Sequence, residues 1–129
     1  MADPWTKTNL NEVEDAAPGN GFGERWEAHV AREDLGAERT GLSYFRLHPG
    51  KRSPFVHRHR EAEEIYVVIA GEGRAKLGEE IRPVAPLDAI RVAPEVPRAF
   101  EAGPEGLELL VFGAHHEADG EPVDDDWVR

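Results

Sequence analysis

The chain contains no cysteine, and basic residues are scarce in it. Without cysteine there are no disulfide bonds, no thiolate nucleophiles and no zinc sites built on thiolates. The 15 Lys and Arg residues against 26 Asp and Glu give a formal net charge of −11. Such a charge repels phosphate backbones and anionic lipid surfaces. We therefore expect neither a nucleic acid nor a membrane as a partner.

Long hydrophobic runs are missing as well. The first residues lack the basic start and apolar core of a signal peptide, and no later segment is apolar over the length needed to span a bilayer. We therefore expect a cytoplasmic protein. No stretch keeps a helical period for long, although residues 27–35 could form one helical turn or an edge strand.

What the sequence does contain is a series of short β-type segments. With 129 residues and 40% hydrophobic content, it predicts a single domain covering residues 1–129. Residues 1–24 are polar and turn-rich and are predicted to be an N-terminal arm, and residues 115–129 an acidic, surface-draped tail. Between them, residues 26–114 are predicted to form a β-barrel. The predicted strands cover residues 40–47, 65–69, 74–77, 89–92 and 107–112.

The most informative segment begins with two alternate histidines, His57 and His59, and continues to Glu64. Side chains alternate across a strand, so both imidazoles point to one face, and a carboxylate from a neighbouring strand can close a three-ligand site. After Glu64, residues 65–69 are apolar on both faces. This pattern predicts a strand covered on both sides, as in a barrel or jelly roll.

These residues carry a family resemblance. Gly50, then His57 and His59, then Glu64 and finally Gly71 resemble the first motif of the cupin superfamily, with one extra residue between Gly50 and His57. The glycine pair Gly71-x-Gly73, at the end of this motif, is predicted to be a hairpin turn of the barrel.

Residues 87–100 resemble the second cupin motif, with two departures. Glu95 or Val96 stands where the family usually has a glycine, and Arg98 stands where it usually has a third histidine. The resemblance implies an all-β, double-stranded β-helix or jelly-roll barrel. It also implies a homodimer and a small-molecule function, with dioxygenases and isomerases among the activities open to it.

His57, His59 and Glu64 are the predicted metal ligands. Two imidazoles and one carboxylate suit a divalent cation such as iron, manganese, nickel or zinc. Glu63 is a rival ligand, but choosing it would turn Glu64 to the other face and break the six-residue spacing to Gly71. His29, His48, His115 and His116 are left out of the predicted site.

Arg98 leaves two functions open. Its guanidinium would bring the three-ligand site near neutrality and weaken its attraction for a cation, or it could bind an anionic ligand through a bidentate fork. Tyr66 and Phe100 are predicted to lie beside it as substrate-binding residues. The first hypothesis is a metal-dependent enzyme acting on a small anionic molecule. The second is a cupin without a metal cofactor, a sensor or carrier in which Arg98 replaces the metal charge.

Overall fold

The structure is a computed structural model that describes residues 3–129, so residues 1 and 2 of the predicted arm lie outside the described residues. Within this range, eight strands form one curled sheet. The strands are β1 Trp26–Val30, β2 Thr40–Leu47, β3 Val56–His59, β4 Glu64–Leu77, β5 Glu80–Val84, β6 Ala89–Val92, β7 Arg98–Ala114 and β8 Gly120–Val123. Helical structure within residues 3–129 is limited to α1 (Arg32–Leu35) and three short 3-10 helices at Leu10–Glu12, Pro18–Asn20 and Asp126–Val128. The predicted all-β class is confirmed, and no helix within residues 3–129 is long and apolar enough to cross a membrane.

The predicted strands are present, but two of them merge. Segments 40–47 and 89–92 coincide with β2 and β6, and segment 107–112 lies within β7. Segments 65–69 and 74–77 are parts of the single strand β4. The ambiguous segment 27–35 holds both of the structures considered for it, since β1 is followed directly by the helical turn α1.

Strand β7 is the centre of the sheet, because it pairs antiparallel with β2, β3 and β4. Fully extended, its 17 residues would span ~55 Å. Both of its ends nevertheless reach Glu64: Gly113 is the register partner of Glu64, and Nη1 of Arg98 lies 3.6 Å from Glu64 Oε1. The β4–β7 pair is therefore strongly curled, as the predicted jelly-roll barrel requires.

Two glycines of β4 allow this curl. The register between β4 and β7 shifts between Val68 and Ala70 and again between Gly71 and Gly73. A Cβ at Gly71 would lie 2.1 Å from the carbonyl oxygen of Gly106, and a Cβ at Gly73 would lie 2.0 Å from that of Glu101. The prediction of a hairpin turn at these glycines is wrong. They lie inside a continuous strand, at bulges where two backbones approach too closely for any side chain.

The core lies on the concave side of the sheet. Tyr66 and Val68 of β4 point into it and are buried, whereas Ile65 and Ile69 are 43% and 40% exposed on the outer face. The prediction that β4 is covered on both faces is therefore wrong for the single chain. The core is filled by Trp26, Ala28, Leu47, Tyr66, Val68, Phe100, Leu107, Leu109 and Val111, among others.

Parts of both terminal segments pack against the barrel. Val13 and Ala17 of the N-terminal arm are buried. The acidic segment 115–129 was predicted to be a surface tail, but part of it belongs to the fold. Its strand β8 pairs with β3, where it satisfies backbone groups of a short strand that meets β7 at only one register pair. Val128 then packs in a small cluster at the chain end.

The close backbone approach at Gly73 predicts a large cost for even the smallest side chain. Gly73→Ala should lower the free energy of unfolding by about 3 kcal/mol, because the strands must separate to admit the methyl group. Urea unfolding measures the change. Gly19→Ala is the matched control, since no atom lies within 4 Å of a Cβ there. A Gly73→Ala protein as stable as the Gly19→Ala protein would contradict this account of the curl.

Candidate metal centre

Three elements bring the predicted ligands together. His57 and His59 project from β3, and Glu64 is the first residue of β4. The register partner of His57 is Arg98, at the start of β7. One ligand atom from each of His57, His59 and Glu64 lies within 4.8 Å of the other two. Glu64 Oε1 is 3.2 Å from His59 Nε2 and 3.9 Å from His57 Nε2.

Glu63, the rival ligand, lies outside this cluster. Its side chain is 58% exposed and pairs with Arg91 on the outer surface. The alternation along β4 therefore turns Glu64 inward and Glu63 outward, as the spacing to Gly71 indicates.

Glu64 Oε1 is the common acceptor of the site. The Tyr66 hydroxyl donates a hydrogen bond of 2.7 Å to it. Burial alone would raise the pKa of Glu64, but the contacts with His57, His59 and Tyr66 outweigh burial and hold the pKa well below its usual range. Burial and the Glu64 charge raise the pKa of Tyr66 well above its ordinary value. Glu64 is thus an ionised carboxylate, and Tyr66 keeps its proton and acts as a hydrogen-bond donor.

The two imidazoles have opposite pKa shifts. Burial lowers the pKa of His57, so this side chain is neutral at physiological pH and its lone pair can serve a metal. The nearby Glu64 carboxylate raises the pKa of His59 against the effect of burial. His59 needs a further group to fix which nitrogen carries its proton.

Asp119 is that group, and no pattern in the sequence indicated it. Its Oδ2 lies 3.2 Å from His59 Nδ1. It also accepts hydrogen bonds of 2.9 Å from the backbone N–H groups of Glu61 and Ala62. Burial would raise the pKa of Asp119, but these donors and His59 lower it. The ionised carboxylate can only accept, so Nδ1 of His59 donates to Asp119 and Nε2 is the nitrogen that faces Glu64.

The donor set fits a divalent cation. His59 Nε2 is buried and, although Glu64 Oε1 is 3.2 Å away, it has no hydrogen-bond partner. A ring nitrogen buried without a hydrogen-bond partner, beside an ionised carboxylate and a neutral imidazole, is an arrangement that a metal ion satisfies. The three side chains could therefore hold a cation with two nitrogen ligands and one oxygen ligand.

Arg98 lies beside this donor set and points inward, as predicted. It is only 1% exposed, and its Nη2 donates to the carbonyl oxygen of Ala93 at 2.9 Å. Its Nε and Nη1 are buried without a hydrogen-bond partner. The guanidinium balances the charge of Glu64 and offers two free N–H groups to a ligand.

The six predicted site residues line one cavity of about 260 Å³, here called the inner cavity. Tyr66 and Phe100 lie side by side there, with ring centroids 5.0 Å apart. Most of the remaining wall is apolar. The polar and aromatic residues that line the inner cavity include His57, His59, Glu64, Tyr66, Arg98, Phe100, Trp26, Phe45 and Phe55.

A second cavity of about 250 Å³, here called the outer cavity, shares His59 and Glu64 with the inner one. Its wall includes Arg32 together with His115 and His116. These two histidines are not part of the site predicted from the sequence, and no local pattern indicated Arg32. The other omitted histidines have structural partners: His29 contacts the carbonyl oxygen of Val13, and His48 that of Gly23.

Comparison with known proteins agrees with this geometry. The sequence model of the cupin domain family matches residues 43–113. No curated protein sequence matches the chain.

Several solved structures share the fold. A cupin protein from Bacteroides fragilis is 20% identical, with a TM-score of 0.72 over 91% of this chain and 89% of the other. A sugar phosphate isomerase of the cupin superfamily from Silicibacter pomeroyi is 21% identical, with a TM-score of 0.74 over 94% and 83%. A polyketide cyclase from Streptomyces resistomycificus is 20% identical, with a TM-score of 0.74 over 94% and 87%. At these identities the likeness concerns the fold alone.

The contact between His59 and Asp119 predicts a fixed tautomer. In the chelator-treated protein at pH 8, His59 should carry its proton on Nδ1, and Asp119→Ala should shift the proton toward Nε2, where Glu64 can accept it. Two-bond nitrogen–proton correlation spectra of ¹⁵N-labelled protein distinguish the two tautomers. Glu117→Gln, an exposed change in the same segment, is the control. An unchanged His59 tautomer in Asp119→Ala would contradict the positioning role of Asp119.

Proposed function

Because this chain belongs to the cupin family, we propose that it is a metal-dependent enzyme that acts on a small anionic molecule. His57, His59 and Glu64 hold a divalent cation, and Arg98 binds the anionic group of the substrate. The observation that carries this proposal is the buried Nε2 of His59, which has no hydrogen-bond partner and lies 3.2 Å from the ionised Glu64, while Asp119 contacts the opposite ring nitrogen.

The cation would be iron, manganese, nickel or zinc, since two imidazoles and one carboxylate suit all four. When bound, such an ion supplies Lewis-acid polarisation of a substrate oxygen or, if iron or manganese, redox chemistry, so the activity is isomerase-like or dioxygenase-like. The neighbour described as a sugar phosphate isomerase supports a small anionic substrate.

The remaining residues of the inner cavity bind and orient the substrate. The Nε and Nη1 groups of Arg98, which have no hydrogen-bond partner, can donate to an anionic group of the substrate. Tyr66 donates to Glu64 Oε1 and so holds that carboxylate in place. Phe100, which contacts Tyr66, and the other aromatic side chains of the wall exclude water and favour a substrate with an apolar body.

A second candidate function is a small-ligand binding module without a metal cofactor. The observation that favours it is the 3.6 Å distance between Arg98 Nη1 and Glu64 Oε1, which lets the guanidinium act as a permanent counter-ion. In that protein the charge of the cluster is already balanced, and the anionic ligand would bind to Arg98 alone.

Metal content distinguishes the two functions. Protein purified without chelator or an immobilised-metal column should contain close to one equivalent of a divalent metal per chain by elemental analysis, and His59→Ala should lose it. His48→Gln is the control, because His48 lies outside both cavities. Metal retained in full by His59→Ala would mean that the ligand assignment is wrong, and a metal-free parent protein would favour the binding module.

Replacing the guanidinium tests its effect on the cluster. Arg98→His should raise the affinity for Zn²⁺ by about tenfold or more, because it removes a neighbouring positive charge and adds a fourth ligand on the strand position opposite His57. Competition with a chromogenic chelator measures the affinity. Arg91→His, on the outer surface, is the control. Equal affinities for the parent and Arg98→His would contradict the placement of Arg98 against the metal ligands.

A further inference from the structure

The unpartnered buried polar atoms of this protein are concentrated around one place. Among the described residues, five buried side-chain nitrogens lack a hydrogen-bond partner: Trp26 Nε1, Arg32 Nε, His59 Nε2, Arg98 Nε and Arg98 Nη1. Each belongs to a side chain that lines the inner or the outer cavity. Buried polar groups are normally satisfied, so an unsatisfied set of this kind indicates a ligand.

The chemistry of the set defines the ligand. The four atoms other than His59 Nε2 are indole or guanidinium N–H groups, which donate and cannot accept. Three belong to the inner cavity, whereas Arg32 Nε belongs to the outer one. A ligand that satisfies them must present acceptors in both cavities, and a guanidinium favours an anionic acceptor.

The state of Arg32 is unusual for this chain. Its side chain forms no hydrogen bond or ion pair with any residue of 3–129, and it is partly buried. Most other arginines of this acidic protein pair with carboxylates, as Arg46 and Arg52 do. Arg39 also lacks a partner within the described range, but it is exposed to solvent.

The carboxylates that face the outer cavity do not neutralise Arg32. Asp119 is engaged by His59 and by two backbone N–H groups, and Glu64 Oε1 is surrounded by its own donors. His116 pairs with Glu61 at 3.1 Å. Arg32 is therefore the permanent cation of the outer cavity, as Arg98 is of the inner cavity.

The two cavities adjoin at His59 and Glu64, which line both. We infer that the outer cavity is a second anion-binding subsite centred on Arg32. The ligand is then a small molecule with two anionic groups, one bound by Arg98 and one by Arg32, whose chain passes the metal cluster. This inference rests on the proposed function in taking Arg98 as the first anchor. The second group is a carboxylate or a phosphate.

Calorimetric titration tests the inference. The probes are linear dicarboxylates from succinate to adipate, phosphonocarboxylates of similar length, and monocarboxylates with the same carbon chains. The protein is the full chain, as purified and again after chelator treatment. We expect at least one dianion to bind about tenfold more tightly than its monocarboxylate, and Arg32→Gln to abolish this advantage while monocarboxylate affinity stays within about twofold. The preferred series distinguishes a carboxylate from a phosphate.

Two further variants complete the experiment. Arg39→Gln, the exposed control, should keep the full advantage of the dianion, and Arg32→Lys should keep part of it because the charge remains without the fork. A dianion advantage that survives Arg32→Gln, or no advantage in the parent protein, would overturn the inference. Because the chelator-treated protein is titrated as well, the test of the second subsite does not depend on metal content. A protein that contains no metal would overturn only the proposed metal function.

Discussion

The pairing of β4 with β7 is the constraint on which the rest of the structure depends. These two long strands stay paired from Glu64 opposite Gly113 to Leu77 opposite Arg98, and they can do so only by curling. The curl needs two backbone approaches that leave no room for a Cβ, at Gly71 and Gly73. The barrel, its interior and the meeting of both ends of β7 at Glu64 all follow from this geometry.

At the site, groups that attract a cation and a group that repels it lie around one carboxylate oxygen, Oε1 of Glu64. Glu64 Oε1 accepts from Tyr66, lies near both imidazoles and faces the guanidinium of Arg98. The imidazoles and the carboxylate favour a cation, and the guanidinium opposes it. In the function that we propose, the cluster binds a metal more weakly than a site with a further neutral ligand would, and the buried guanidinium binds the substrate anion.

The C-terminal segment connects fold and site. β8 pairs with β3, the strand that carries His57 and His59, and the loop before it supplies Asp119. The same carboxylate that orients His59 also caps the backbone N–H groups of Glu61 and Ala62. Docking of this segment therefore covers the edge of β3 and also places the carboxylate that contacts a candidate ligand, His59.

Local periodicity was enough to predict the main strands and the shared face of His57 and His59, because side-chain direction in a strand depends on position along it. The choice of Glu64 as the third candidate ligand came from the resemblance to the cupin motif. The same alternation turned Arg98 inward and Glu63 outward. It could not show that Gly71 and Gly73 lie within a continuous strand, that Asp119 orients His59 from 60 residues away, or that Arg32 shares a cavity wall with that histidine. Those features arise when segments distant along the chain come together, and only the tertiary structure decides which segments meet.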